Sequence, residues 1–188
     1  FKMTPNPCLV DEIPDAYLAM GLTAENVASQ FQVSRAEQDA FAYASHQKAI
    51  AAIAAGRFKE ESVAVSGREV TLDQDNKRKV TEFTFDTDEG PRRDTSLEKL
   101  AALRPAFNPK GSVTAGNASQ RSDGSAAVIL MSGERMKALG VKPLARFIAY
   151  AVGGGAPGIV GIGRVAAVPK ALKLAGLKMG GIDLVGLT

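Results

Sequence analysis

Two residue types that could act as a nucleophile and a base occur once each in this chain. Cys8 is the only thiol and His46 the only imidazole. A reactive thiolate needs a helix N-terminus, a cation or a histidine beside it, whereas Cys8 lies between Pro7 and Leu9 in a proline-rich segment. A catalytic His46 would need a carboxylate and a nucleophile that the sequence does not place beside it. Both residues are interpreted as structural, and one Cys with one His is too little for a metal site.

Two short motifs could hold a ligand. The G-I-G motif at 161–163 resembles the start of a dinucleotide-binding fingerprint, but the third glycine is missing, so it is interpreted as a loop. The N-A-S motif at 117–119 follows the small residues Ala115 and Gly116, and small side chains let a ligand lie close to the backbone. A tight turn before a strand explains this second motif equally well, and both interpretations stay open.

Composition limits the class of protein. The chain has 188 residues, of which 45% are hydrophobic and 23% are charged, values typical of a soluble globular protein. The net charge is only +3 and basic residues alternate with acidic ones, so no nucleic-acid footprint is predicted. No apolar run approaches the roughly 20 residues of a membrane span. A single cysteine excludes an intrachain disulfide and favours a reducing compartment, the cytoplasm or an organellar matrix.

Helices dominate the predicted first half. The sequence predicts a short helix from Thr23 to about Phe31, then a helix opened by the capping box S-R-A-E at 34–37 and ended by Gly56. Spacings of four and three place one set of residues on an apolar face of that second helix: Ala36, Ala40, Tyr43, Gln47, Ile50 and Ala54. Residues 61–86 predict short strands or a hairpin, and the capping box T-S-L-E at 95–98 opens another short helix.

Alternating strands and helices are predicted from residue 126 onward. Three apolar segments favour strands, at 126–131, 142–152 and 182–187. Helices are predicted between them, at 134–139 and 168–175. This order indicates an α/β layered fold on which the helical and irregular first half is an insertion.

Several blocks, in their order along the chain, resemble the thiolase family. The block M-G-L-T-A-E-N-V-A at 20–28 resembles the M-G-x-T-A-E-N-V-A stretch of thiolases. The blocks at 94–107 and 113–127 resemble the helix of the family's loop domain and the strand that follows it. Further matches lie at 34–42, 56–59, 161–163, 169–172, 175–177 and 182–184. The resemblance covers nearly the whole chain.

The resemblance implies a fold of two similar α/β halves, each a mixed sheet between layers of helices, with a mostly helical loop domain inserted in the first half. This chain resembles the central part of that fold. It would hold the loop domain at 1–112, the end of the N-terminal half at 113–140 and the start of the C-terminal half at 141–188. Thiolases cleave 3-ketoacyl-CoA with coenzyme A (CoA), or run the reverse Claisen condensation. They act as homodimers or homotetramers, with CoA as a substrate and no permanently bound cofactor.

The resemblance also assigns CoA contacts to individual residues. Arg92 matches the loop-domain arginine that contacts the CoA nucleotide, and a guanidinium offers a phosphate or an adenine both charge and a planar face. Phe107 matches the residue that flanks the adenine and the pantetheine. Ala115, Ala118 and Ser119 match the pantetheine-binding stretch, with the Ser119 hydroxyl near the thioester.

Met20 matches a residue of the acyl pocket, but the resemblance assigns no catalytic residue to this chain. The nucleophile's Cys-x-Ser-Gly turn is absent, Cys8 does not match it, and His46 matches neither catalytic histidine. Where an N-E-A-F or H-E-A-F block is expected, the chain reads V-G-L-T at 185–188, and the Gly-His-Pro and second Cys-x-Gly-Gly blocks are missing. Glycines stand where acidic or bulkier residues are common in the family, at 158, 180, 181 and 186.

Two functions remain open on this basis. In the first, the chain is the CoA-binding middle part of an active acyl-CoA thiolase, an acyltransferase of fatty acid metabolism and β-oxidation. The alternative is a catalytically inactive thiolase-like protein that binds CoA or a partner. A divided α/β half exposes sheet edges and apolar surface, so we also expect the isolated chain to be poorly soluble or to need a partner.

Overall fold

Side chains that accept free backbone N–H groups mark the start of four of the six α-helices in this computed structural model, which describes residues 4–187. The α-helices are α1 Pro7–Glu12, α2 Met20–Gln30, α3 Arg35–Ala54, α4 Leu97–Ala101, α5 Gly133–Leu139 and α6 Gly163–Ala175. Short 3-10 helices cover Pro14–Tyr17, Pro157–Ile162 and Met179–Gly181. At the starts of α1, α3, α4 and α5, the N–H acceptors are the side chains of Asn6, Ser34, Ser96 and Ser132.

The chain divides into two compact units. Ser34–Gln120 forms one unit, and the described residues on either side of it, 4–33 and 121–187, form the other. Within the described residues, no helix is long and apolar enough to cross a membrane. The division of the thiolase fold at residues 112 and 140 stays a prediction.

The unit Ser34–Gln120 begins with the predicted capping box. The Ser34 hydroxyl accepts from the Glu37 N–H while the Glu37 carboxylate accepts from the Ser34 N–H, which confirms the start of α3. The predicted hairpin is also confirmed. Strands β1 Val65–Leu72 and β2 Arg78–Phe85 pair antiparallel.

A small core lies where α4 meets the segment that follows it. Leu100 of α4 is 3% exposed and Val113 is 6% exposed. The fully buried Thr114 forms an antiparallel bridge with Pro105, and the Ala106 N–H donates to the Val113 carbonyl at 2.9 Å. This bridge folds residues 105–114 back along α4 and carries the chain into the N-A-S motif.

The apolar face predicted for α3 was wrong in part. Ala36, Ala40, Gln47 and Ala54 are exposed, while Tyr43 and Ile50 are half-buried. The face that packs inward carries a polar residue, Asp39, and continues through half-buried positions at 42, 46, 49 and 53. The buried Asp39 carboxylate must face its hydrogen-bond partners, so polar bonding and not apolar spacing sets the rotation of this helix.

In the unit of residues 4–33 and 121–187, helix α2 packs against the 3-10 helix Pro157–Ile162. Asn26 of α2 donates its side-chain N–H to the Gly158 carbonyl at 2.9 Å. Gly158 is buried, and a Cβ added there would lie 2.6 Å from Oδ2 of Asp15. The absence of a side chain at 158 therefore has a structural cause.

The three predicted strands from residue 126 onward do not form, and these predictions were wrong. Residues 126–131, 142–152 and 182–187 contain no paired strand. The first segment is open to solvent, with Val128, Ile129 and Leu130 exposed by 82%, 88% and 80%. A strand forms only when a neighbour accepts and donates its backbone hydrogen bonds, and no neighbouring strand lies beside these segments within residues 4–187. The two helices predicted between them are confirmed as α5 and α6, although α6 begins at Gly163, five residues before its predicted start.

Protonation of Glu37 is expected to weaken the start of α3. The Ser34 hydroxyl at 2.7 Å and the Ser34 N–H at 2.8 Å both donate to Oε2 of Glu37, and these bonds hold the pKa of Glu37 below its ordinary value of 4.5. With a lowered folded-state pKa, the stabilisation is fully present above pH 4.5 and is lost as the pH falls through the folded-state value.

Thermal melts followed by circular dichroism, from pH 4.5 down to more acidic values, test this expected loss of stability. As the pH falls, the melting temperature of the Glu37→Gln variant should decrease less steeply than that of the wild type. The Glu69→Gln variant in β1, outside any helix cap, should keep the wild-type dependence. Equal acid dependence in the wild type and Glu37→Gln would contradict the assigned role.

Candidate functional site

A groove of about 680 Å³ opens in the unit Ser34–Gln120, and it collects three of the five residues predicted to bind CoA. Arg92 reaches it from the loop between β2 and α4, while Ala115 and Ala118 reach it from the segment after the Pro105–Thr114 bridge. The groove is lined by two cations and two carboxylates, together with a histidine and a set of small residues: Arg92, Lys99, Glu89, Asp94, His46, Ala115, Gly116 and Ala118. Positions far apart in sequence therefore meet around one concave surface.

The other predicted contacts lie elsewhere. Phe107 is 45% exposed and does not line the groove. Ser119 is exposed between two lining residues, Ala118 and Gln120, without lining the groove itself. Met20 begins α2 in the other unit and is 66% exposed. The roles of these three residues stay predictions.

The segment that carries Ala115 and Ala118 is held by the carboxylate of Asp39, which is 3% exposed. Its Oδ2 lies 2.7 Å from Nε of Arg35, one turn earlier on α3. Its Oδ1 accepts from the side-chain amide of Asn117 at 3.0 Å. The Asn117 oxygen in turn accepts from the Thr114 N–H at 2.7 Å. Asp39 thus joins α3 to the segment that carries Ala115 and Ala118.

Arg35 extends the same network to α4. Its Nη2 donates to the carbonyl oxygen of Leu100 in α4 at 2.5 Å and to that of Leu103, just after the helix, at 3.2 Å. A guanidinium suits this task because it presents several N–H donors in one plane. The segment 112–118 and α4 are therefore both fixed to the first turns of α3.

Gly116 lets this segment lie directly on α4. A Cβ at residue 116 would stand 2.5 Å from Cδ2 of Leu100 and 2.6 Å from Cδ1 of Leu103, distances that no side chain tolerates without rearrangement. The backbone at 115–118 consequently forms a shallow wall in which the side chains that face the groove are small. In the N-A-S motif, Asn117 stabilises the turn and Ala118 lines the groove, while ligand binding by the motif stays a prediction.

Arg92 supplies the groove with an available positive charge. Its guanidinium is exposed and has no hydrogen-bond or salt-bridge partner among residues 4–187, whereas its backbone N–H donates to Nδ1 of His46 at 3.1 Å. Lys99 is engaged differently, with Nζ bonded to the Asp94 carbonyl and 3.5 Å from the Asp94 carboxylate. Arg92 is therefore the cation most ready to meet an anionic group.

His46 and Lys99 line the groove, although neither was predicted from the sequence to contact CoA. His46 lies seven residues after Asp39, which is two helical turns, so both side chains share one face of α3. That spacing could have identified His46 if the buried face had been known. No sequence signal was recognised for Lys99.

Among the residues described, the lone thiol does not line the groove. Cys8 is exposed at the start of α1, where its backbone N–H donates to Oδ1 of Asn6 at 2.9 Å. Within residues 4–187, no group of three or more His, Cys, Asp or Glu residues could hold a metal ion.

Several known proteins similar to this chain are thiolases or acetyl-CoA acetyltransferases. The family model for the N-terminal domain of thiolase matches residues 4–134. The 3-ketoacyl-CoA thiolase of Bacillus subtilis is 50% identical over 183 residues, which are 97% of this chain and 47% of that relative. The Bacillus anthracis acetyl-CoA acetyltransferase structure superposes with a TM-score of 0.78 at 43% identity, covering 89% of this chain and 40% of the other. The dimeric peroxisomal thiolase of Saccharomyces cerevisiae gives a TM-score of 0.80 at 36% identity, covering 97% and 44%.

These matches confirm the predicted fold class, a part of the α/β fold that the solved thiolases share. The chain belongs to the thiolase family. It spans less than half the length of the relatives that it matches.

Replacement of Asp39 by Asn is expected to destabilise the unit Ser34–Gln120 by about 3 kcal/mol, because Arg35 loses a buried ionic partner. Urea unfolding followed by circular dichroism measures the change. Asp75→Asn is the matched control, since Asp75 and its partner Lys77 are both 78% exposed at 4.0 Å. Asp75→Asn should lower the free energy of unfolding by less than about 0.5 kcal/mol. Equal effects of the two substitutions would show that Asp39 does not organise the unit.

Proposed function

We propose that this chain is the CoA-binding middle part of an acyl-CoA thiolase. Such an enzyme cleaves a 3-ketoacyl-CoA with CoA to acetyl-CoA and a shortened acyl-CoA, or runs the reverse Claisen condensation. The observation that carries the proposal is the groove in which Arg92, Ala115 and Ala118 lie together. Membership of the thiolase family supports the same assignment.

The groove suits the two chemically different ends of CoA. The nucleotide end is anionic and planar, and the free guanidinium of Arg92 can pair with a phosphate or stack on an adenine. The pantetheine arm is narrow and mostly neutral, and a wall of small residues at 115–118 lets it approach the backbone. Phe107 and Ser119 are proposed to add contacts to the adenine and the thioester, and Met20 to line the acyl pocket.

The reaction class follows from the names of the relatives. The Bacillus subtilis relative is a 3-ketoacyl-CoA thiolase and the Bacillus anthracis relative an acetyl-CoA acetyltransferase, and both names describe acyl transfer to or from CoA. We propose acyl transfer in fatty acid metabolism for the protein to which this chain belongs, with CoA as a substrate and no permanently bound cofactor. We propose no catalytic role for Cys8 or His46.

Assembly and location are proposed on the same basis. The Saccharomyces cerevisiae thiolase is described as dimeric and peroxisomal. We propose a homodimer or homotetramer for the complete protein, in the cytoplasm or an organellar matrix where a single free thiol stays reduced.

Binding without turnover is a second candidate function for this chain. The described residues include the groove proposed for CoA, and neither Cys8 nor His46 matches a catalytic residue of the thiolase family. Turnover of acetoacetyl-CoA by the chain alone would contradict this assignment, and CoA binding without turnover would support it.

Titration of the chain with CoA by isothermal titration calorimetry tests the proposed site. The Arg92→Ala variant should bind CoA about tenfold more weakly, the loss expected for one charge-assisted contact. Arg78→Ala removes the same charge at the start of β2, outside the groove, and should leave the affinity unchanged. Absence of CoA binding by the wild type, or equal weakening by both variants, would overturn the proposed site.

A further inference from the structure

His46 connects helix α3 to the loop that carries Arg92. Its Nδ1 accepts the Arg92 N–H at 3.1 Å across 46 positions of sequence. The imidazole is half-buried on the inward face of α3, and it lines the groove that Arg92 also lines. The bond therefore reaches the backbone of the residue whose side chain carries the available charge.

The protonation of the ring follows from this bond. A nitrogen that accepts an N–H must be unprotonated, so a neutral His46 carries its proton on Nε2. A side chain of similar size without an acceptor at the Nδ1 position would leave the Arg92 amide without this partner. The oxygen of an asparagine side chain stands close to where Nδ1 stands in histidine, so it can replace the acceptor.

The anchored amide matters because the loop has few other supports at this point. Arg92 and its neighbours Arg93 and Asp94 are all exposed, and Lys99 is bonded to Asp94 within the same stretch of chain. An arginine side chain keeps considerable rotational freedom, and fixing its backbone removes part of the entropy that a ligand would otherwise have to overcome.

We propose that His46 is a positioning residue, which anchors the Arg92 backbone to α3 so that the guanidinium faces the groove ready for an anionic ligand. This role rests on the proposed CoA site and adds to it a residue outside the predicted contacts. His46 acts through Arg92 and performs no acid–base chemistry, because its basic nitrogen is occupied by a backbone amide.

Two variants separate the acceptor from the bulk of the ring. His46→Phe keeps a ring of similar size and removes the acceptor, whereas His46→Asn keeps an acceptor and removes the ring. We expect CoA to bind about fivefold more weakly to His46→Phe, and His46→Asn to recover most of that loss. In the Arg92→Ala background, His46→Phe should cause no further weakening, because the group that it positions is gone.

Hydrogen exchange at the Arg92 amide tests the anchor without any ligand. The amide should exchange slowly in the wild type and in His46→Asn, and severalfold faster in His46→Phe. The amide of Lys77 is the internal reference, since it donates to Asp73 in the hairpin turn and should be unaffected. A general loss of stability in a variant would raise exchange at both amides, whereas loss of the anchor alone would raise it only at Arg92.

The outcomes distinguish the inference from the proposed function. Equal exchange at the Arg92 amide in the wild type and His46→Phe would overturn the positioning role, whatever the CoA affinity. His46→Phe could instead weaken CoA binding as strongly in the Arg92→Ala background as in the wild type. That result would also overturn the positioning role, because His46 would then contact the ligand itself. A wild type that binds no CoA while its Arg92 amide is protected through His46 would overturn the CoA proposal and leave the anchor supported.

Discussion

A single buried carboxylate organises the unit Ser34–Gln120. Asp39 is paired with Arg35 and with Asn117, and each of these partners makes a second set of bonds, to the end of α4 and to Thr114. A carboxylate is stable away from water only when such partners neutralise and hydrogen-bond it. One acid group therefore ties together three parts of the chain that are remote in sequence.

The groove is a consequence of this polar arrangement more than of apolar packing. The apolar core beside it is small, with Leu100 and Val113 as its buried members. Because Asp39 fixes the rotation of α3, His46 faces the groove two turns later, while Ala36 and Ala40 face solvent. Because Asn117 fixes the turn, the small residues beside it stand at the groove wall: Ala115, Gly116 and Ala118. The groove lining and the structural network thus use different residues of the same segments.

Features that depend on neighbouring residues were predictable from the sequence, and features that depend on distant partners were not. The Ser34–Glu37 capping box and the hairpin follow from contacts within a few residues, and both are confirmed. Strands were wrongly predicted at 126–131, 142–152 and 182–187 from apolarity alone, because a strand also needs a neighbour. Arg92, Ala115 and Ala118 were named through family resemblance, whereas Asp39 and His46 required knowledge of which face of α3 is buried.

The extended segment 121–132 has a consequence for handling the protein. It follows the boundary of the unit Ser34–Gln120, is exposed throughout, and contains no helix or paired strand. Proteases cut most readily where several successive residues are accessible and free of regular hydrogen bonding. Nicking in this segment would separate the groove-bearing unit from α5 and α6 while leaving every hydrogen bond of the Asp39 network inside one fragment.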